Sequence, residues 1–258
     1  MNRNTVRQIV NIVAVIATIV VNGLANALPL NGLTTGEISD RFQVYFVPAG
    51  YVFSIWGLIY VGLILFAIYQ AAPAQADNPR LVRVGYLFAL SCLANIAWLF
   101  LWHYEQFVLT VVAMLALLGL LIAVYLRLEI GRAAVSTAER WMVRVPISVY
   151  LGWVSVATIA NVTTTLDYLN WGGWGISDQL WAVIMLAVGA VLAWAVGLSR
   201  GDLAYALVFV WAYVGIAVKQ SGTPVATTAL VMTGLLVVLL VVIAIRYQQQ
   251  RSFAAAGG

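Results

Sequence analysis

Charge is scarce in this chain. Only 9% of its 258 residues are Asp, Glu, Lys or Arg, against about 25% in an ordinary soluble domain. The same chain is 64% hydrophobic, and its mean hydropathy is +0.98. So few charges cannot cover so much apolar surface in water, which excludes a soluble globular enzyme and a disordered chain. Cysteine is nearly absent too. The single thiol, Cys92, excludes an intramolecular disulfide framework and a cysteine-cluster metal site. One histidine, His103, offers no second imidazole for a metal site, and no acid lies in a span to orient it for catalysis. The net charge of +4 is small and dispersed, with no basic run able to track phosphates, so no nucleic-acid partner is expected. The solvent has to be a bilayer, and the expected partner is membrane lipid.

A spanning helix needs about 20 mostly apolar residues. Eight segments qualify: roughly 8–28, 50–71, 81–103, 106–127, 143–165, 179–198, 202–219 and 223–246. Runs such as 231–245 lack the alternation of a barrel strand. The expected fold class is therefore all-α, a polytopic membrane helical bundle with eight transmembrane helices. Positive charge gives an independent check. Arg3, Arg7, Arg80, Arg83, Arg127, Arg132, Arg140, Arg144, Arg200, Arg246 and Arg251 fall on one side of this topology, and only Arg41 and Lys219 on the other. The split of 11 to 2 predicts an integral protein of the cytoplasmic (inner) membrane with both termini cytoplasmic. An alternative reads residues 1–27 as a cleaved secretory signal ending in Ala25-Asn26-Ala27, which would leave seven spans.

All nine acids fall in loops or at span ends, so a proton-coupled mechanism has no buried carboxylate to use. No HExxH, P-loop or nucleophile-elbow motif occurs, and no catalytic residue is assigned. His103 ends the third span, where it caps the helix or faces water rather than binding haem iron. The midspan polar residues are amides and hydroxyls: Asn11, Asn22, Asn95, Ser155, Thr158, Asn161 and Thr163 to Thr165. Each needs a partner in hydrocarbon. Ten tryptophans stand out. Trp171 and Trp174, in a glycine-rich loop, suit a membrane interface, as Tyr45, Tyr168 and Tyr247 do. Trp56, Trp98 and Trp153 lie deeper.

Phe53, Trp56 and Tyr60 are spaced by three and four and share a helix face. Asn95 and Trp98 share another. Trp153, Ala157 and Asn161 make a third stripe, with the small Ala157 leaving room between ring and amide. Three faces of ring plus amide could line one cavity for a flat apolar ligand, or could simply be aromatic packing between helices.

The stretch Phe46-Val-Pro48-Ala-Gly-Tyr51-Val-Phe53-Ser-Ile-Trp56-Gly-Leu-Ile-Tyr60 resembles the signature of the TspO/MBR family, the tryptophan-rich sensory proteins related to the mitochondrial translocator protein (peripheral benzodiazepine receptor). Asn95 and Trp98 resemble the family's Asn-x-x-Trp in the third helix. Pro146 followed by Trp153-Val-Ser-Val-Ala157-Thr-Ile-Ala-Asn161 resembles its fifth-helix block. The motif resemblance spans about residues 8–170. It implies a TspO-like five-helix ligand-binding bundle over 1–170, with a loop at 29–48 above a cavity for porphyrins, haem-like tetrapyrroles, sterols or drug-like aromatics. The implied ligand-binding residues are Trp56, Asn95, Trp98, Trp153 and Ala157, with Phe53, Tyr60 and Asn161 beside them. No cofactor is required; a porphyrin or haem-like ligand is what the resemblance offers.

The chain departs from the signature at Ala49 (for a second Pro), at Tyr51 and Phe46 (for Trp), and in a spacing from Phe53 to Trp56 that is one residue short. A sterol is not predicted. Residues 171–258 form a three-helix C-terminal membrane extension, in which Gly189, Ala193 and Gly197 make a small-residue stripe suited to close helix contact. This extension could stand in for a dimer partner; the oligomeric state is left open. The functional expectation is an integral membrane protein binding tetrapyrroles or similar flat ligands, in a sensory, regulatory or carrier role. The alternatives are a facilitative transporter using all eight helices, or light-dependent porphyrin breakdown.

Overall fold

The computed structural model describes residues 2–28 and 30–256, with side chains as far as Gln249. Pro29 at the start of the expected loop, and the side chain of Arg251 from the charge count, lie outside what it describes. Among the described residues eleven α-helices occur in order: α1 (Arg3–Ala27), α2 (Thr35–Asp40), α3 (Ile55–Ala71), α4 (Pro79–Val84), α5 (Leu87–His103), α6 (Phe107–Arg127), α7 (Thr137–Glu139), α8 (Val145–Tyr168), α9 (Asp178–Arg200), α10 (Leu203–Lys219) and α11 (Pro224–Ala256). No strand occurs among the described residues. The protein is an all-α membrane helical bundle. Among the described residues six helical stretches are long and apolar enough to cross a bilayer, while α5 and α10 are apolar but only 17 residues long. At 1.5 Å per residue those two fall a few Å short of a hydrocarbon core about 30 Å thick.

Two helix boundaries differ from the hydropathy reading, for local reasons. The third apolar segment is broken: Gly85, at φ 60°, ends α4 before α5 begins. The first helix starts at Arg3 rather than near residue 8, because the Asn2 side chain accepts from the backbone of Asn4 and caps it. That puts Arg7 in the second turn, where it is buried.

The chain divides into two compact units, residues 1–44 with 53–172 and residues 45–52 with 173–258. In the first, α1 packs on α5, α5 on α6, α6 on α8, α8 on α3 and α3 on α1, closing a ring of five helices. The α3–α8 contact is close because Gly62 faces Pro146. A Cβ on Gly62 would lie 2.9 Å from the Pro146 Cβ. Pro146 also lacks the N–H an α-helix needs there, and the five residues before α8, Arg140–Arg144, wind as a wider π turn.

Arginines that the sequence assigns to one side meet at one end of this ring. Arg80 forms a bidentate pair with Glu139 (2.7 and 2.8 Å), and Arg83 pairs with Glu129 at 2.8 Å. Arg7 donates to the Ala76 carbonyl at 2.8 Å and Arg144 to the Ala133 carbonyl at 2.6 Å.

In the second unit α9, α10 and α11 pack pairwise. α9 ends on Gly201 in the left-handed region, and Asp202 caps α10 at once, so a two-residue connection joins these helices. The small-residue stripe of α9 works in two directions. A Cβ on Gly189 would overlap the Tyr213 hydroxyl of α10, and one on Gly197 would lie 3.0 Å from Leu239 and Ile243 of α11.

Residues 45–52, which carry the first half of the aromatic signature, also belong to this unit. The Ala49 N–H donates to the Gly215 carbonyl at 3.1 Å, and Trp211 Nε1 donates to the Val52 carbonyl at 3.0 Å. A Cβ on Gly215 would overlap Val52, so glycine is required for the segment to lie this close.

Candidate ligand-binding site

All eight expected site residues lie in the five-helix unit. Phe53 sits in a 3₁₀ turn (Gly50–Ser54) leading into α3, which carries Trp56 and Tyr60. Asn95 and Trp98 are on α5, and Trp153, Ala157 and Asn161 on α8.

The structure gathers four of them tightly. Trp56 stacks on Tyr60 with centroids 5.7 Å apart, and meets Trp153 edge to face at 6.3 Å. Phe53 meets Trp153 edge to face at 5.8 Å. Tyr150, which the motif reading passed over, joins the cluster 6.1 Å from Trp56. Its spacing of three from Trp153 was the available signal.

Asn95 is fully buried. Its Oδ1 accepts from Asn22 Nδ2 of α1 at 2.8 Å. The Tyr150 hydroxyl lies next to the Asn95 amide. Yet Asn95 Nδ2, Tyr150 Oη and Trp153 Nε1 all lack a partner of hydrogen-bond geometry.

Trp98 goes elsewhere. It stacks on Trp102 at 5.6 Å, and its Nε1 donates to Asn161 Oδ1 at 3.4 Å. Asn161 Nδ2 in turn donates to Thr110 Oγ1 at 2.8 Å. So two of the three indoles converge, and the third heads a neighbouring layer. Ala157 is half-buried between the two layers on α8. Two open hollows, of about 500 and 770 Å³, lie in the other unit, around Trp194 and Met232 and around Ala217 to Leu230.

His103 does not face water. It is fully buried, with Nε2 3.1 Å from Thr35 Oγ1 and Nδ1 3.1 Å from the Leu30 carbonyl. The Nδ1–H donates to that carbonyl, which leaves Nε2 to accept from the threonine hydroxyl. Trp102 Nε1 donates to the Thr35 carbonyl at 3.2 Å. The end of α5 thus pins the loop after α1, and both imidazole nitrogens are already used. No group of three His, Cys, Asp or Glu among the described residues could hold a metal.

The same loop is closed by a capping box between Thr34 and Glu37, and by an ion pair of Arg41 with Glu105. Bonds from the Thr34 backbone N–H and then its hydroxyl hold the Glu37 carboxyl below its usual range. The bond to Glu105 raises the Arg41 guanidinium.

A model of the TSPO-like protein family matches residues 8–243. The chain belongs to this family. The match runs on past residue 170 through most of α11, further along the chain than the short motifs reach. No curated protein and no solved structure matches the chain. Membership in the TSPO-like family and a bundle of apolar helices together fit an integral membrane protein that binds a ligand.

Proposed function

We propose that this TSPO-like protein binds tetrapyrroles or similarly flat apolar molecules at the cluster of Phe53, Trp56, Tyr60, Tyr150 and Trp153, in a sensory, regulatory or carrier role. Asn95 is the polar handle, and Trp98, Ala157 and Asn161 form the adjoining wall.

One observation supports this above the rest: three buried polar groups, Asn95 Nδ2, Tyr150 Oη and Trp153 Nε1, lack partners beside the stacked rings. Each such group costs about 1–3 kcal/mol when left unsatisfied. A site that keeps three of them is prepared for acceptors that arrive with something else. A flat ligand bearing ring nitrogens or carbonyls supplies them.

Admission requires the rings to part. An edge-to-face contact is worth about 0.5–1.5 kcal/mol. Burying a further ~200 Å² of ligand ring returns about 5 kcal/mol, so the exchange is favourable. We place the protein in the cytoplasmic membrane with both termini cytoplasmic, a reading supported by the arginines gathered at one end of the ring.

Titration of the detergent-purified protein with a porphyrin should give saturable quenching of tryptophan fluorescence. Asn95→Ala and Trp153→Phe should each weaken it about tenfold, the loss of one hydrogen bond. Two variants that quench like wild type would remove the site from this cluster.

A further inference from the structure

The five-helix unit holds a second set of buried polar groups that the aromatic site does not use. α1 is packed with its polar side inward. Its buried face carries Arg7, Gln8, Asn11, Thr18 and Asn22, with Val15 between Asn11 and Thr18. Val13, Ile16 and Val20 are exposed on the opposite face, toward lipid.

Some of these groups close on the protein. Gln8 Nε2 donates to the Gln70 carbonyl at 2.6 Å, Thr18 to the Ala14 carbonyl at 2.9 Å, and Asn22 to Asn95. Others do not. Arg7 is 4% exposed and makes one bond, from Nη2 to Ala76, while its Nε and Nη1 have no partner. Asn11, 3% exposed, has an unpartnered Oδ1. These donors and this acceptor belong to residues four apart, neighbours on one helix face, and together they offer the two to four polar partners that a buried water needs. About three turns further along α1, past Thr18 and beside Asn22, stand the orphans of the aromatic cluster.

We propose that the inward face of α1 is a hydrated track. Water and small polar solutes are held first between Arg7 and Asn11 and again between Asn95, Tyr150 and Trp153, and Val15 is the apolar constriction between the two stations. The inner station rests on the reading of the aromatic cluster given above; the outer one does not. The track would carry the polar edge of a ligand, or the water it displaces, between the membrane surface and the rings.

The test is thiol labelling of the full chain in proteoliposomes, in a Cys92→Ala background, with a small cationic methanethiosulfonate. The cysteine thiolate attacks the reagent's sulfenyl sulfur and expels methanesulfinate, and the thiolate forms in water and not in hydrocarbon. Asn11→Cys should react at least about tenfold faster than the lipid-facing Val13→Cys. Val15→Ala should speed labelling of Asn22→Cys and leave Asn11→Cys unchanged. Equal rates at positions 11 and 13 would overturn the track, and an Asn22→Cys rate indifferent to Val15→Ala would overturn the constriction. Hydroxyl-radical footprinting of the unsubstituted protein needs no variant to fold. It should oxidise Tyr150 and Trp153 above the fully buried pair Phe66 and Phe88, and equal protection would count against the inner station. Neither experiment contains a porphyrin, so a dry track leaves the ligand reading standing, and loss of the ligand reading leaves the outer station standing.

Discussion

In the second unit three ring donors close on backbone carbonyls: Trp181 on Gly173, Trp211 on Val52 and Tyr213 on Leu186, at 2.7 to 3.0 Å. In the first unit Trp153 and Tyr150 are buried deeper than Trp181 or Trp211; the Trp153 donor closes on nothing, and the Tyr150 hydroxyl has only the Asn95 amide beside it. The buried side-chain atoms left without partners, among the described residues, all belong to the five-helix unit. The contrast extends to how helices approach each other. The second unit seats side chains against bare glycine backbone at Gly189, Gly197 and Gly215, while the first does so at Gly62 and otherwise fills its interior with aromatics and amides. One unit is finished as a packing problem. The other keeps polar capacity in reserve, which a purely structural core would have removed, because an apolar replacement of similar shape costs less than an orphaned donor.

The largest expected effect tests whether the second unit is as closely packed as its glycines imply. Gly189→Val should destabilise it by about 3 kcal/mol, the upper part of the usual overpacking range, because Tyr213 is tied to Leu186 and cannot swing away. Thermal unfolding in detergent measures this. A neutral result would mean the helices are not in contact there.

Next in size is the amide pair of the first unit. Asn22→Leu strands Asn95 Oδ1 and should cost about 1 kcal/mol, within the span measured for interhelical bonds in membranes. Asn22→Leu combined with Asn95→Leu removes both partners and should recover part of that loss.

Smaller still is Trp153→Phe. It deletes an unpartnered Nε1, which offsets the packing lost with the smaller ring, so stability should change by less than about 0.5 kcal/mol while ligand affinity falls. If stability falls as far as affinity, the indole is a packing residue and the contrast between the units weakens.

The smallest effect is a pH response of the loops of the first unit. Glu37 and, through its bond to Arg83, Glu129 have carboxyls held below their usual range. A lowered folded pKa adds stability that is present above the unfolded carboxylate pKa of about 4.3 and is lost as pH falls through the lower folded values. Both groups are exposed, so the loss should be slight. It should appear as lower amide protection, relative to the intrinsic exchange rate, over residues 34–44 in acid, with the protection of α9 to α11 unchanged.

Particular residues show why some of this was legible and some not. The helices were readable because hydropathy alone decides which segments can be dry, and a spanning length is set by the bilayer. The break at Gly85 was not, since one left-handed glycine scarcely alters a 20-residue average. Trp56 and Trp153 were found by periodicity and motif, and they do touch. Trp98 carries the same motif signal but stacks on Trp102, because period tells which face a ring is on and not which neighbour it meets. Tyr150 was missed although it shares the face of Trp153. His103, alone in the sequence, suggested water; only the fold of the loop after α1 brings Thr35 and Leu30 to its two nitrogens.

The sequence alone determined that this chain lives in lipid and is helical: its composition admits no other solvent, and its long apolar runs without alternation leave the helix as the way to pair the backbone there. Tertiary structure decided which half of the aromatic signature belongs to which unit: residues 45–52 lie against Gly215 and Trp211, while Phe53 to Tyr60 face Trp153. It also decided which polar groups go unsatisfied. Hydrogen bonds depend on the meeting of atoms far apart in the chain, and spacing along one helix carries no information about that.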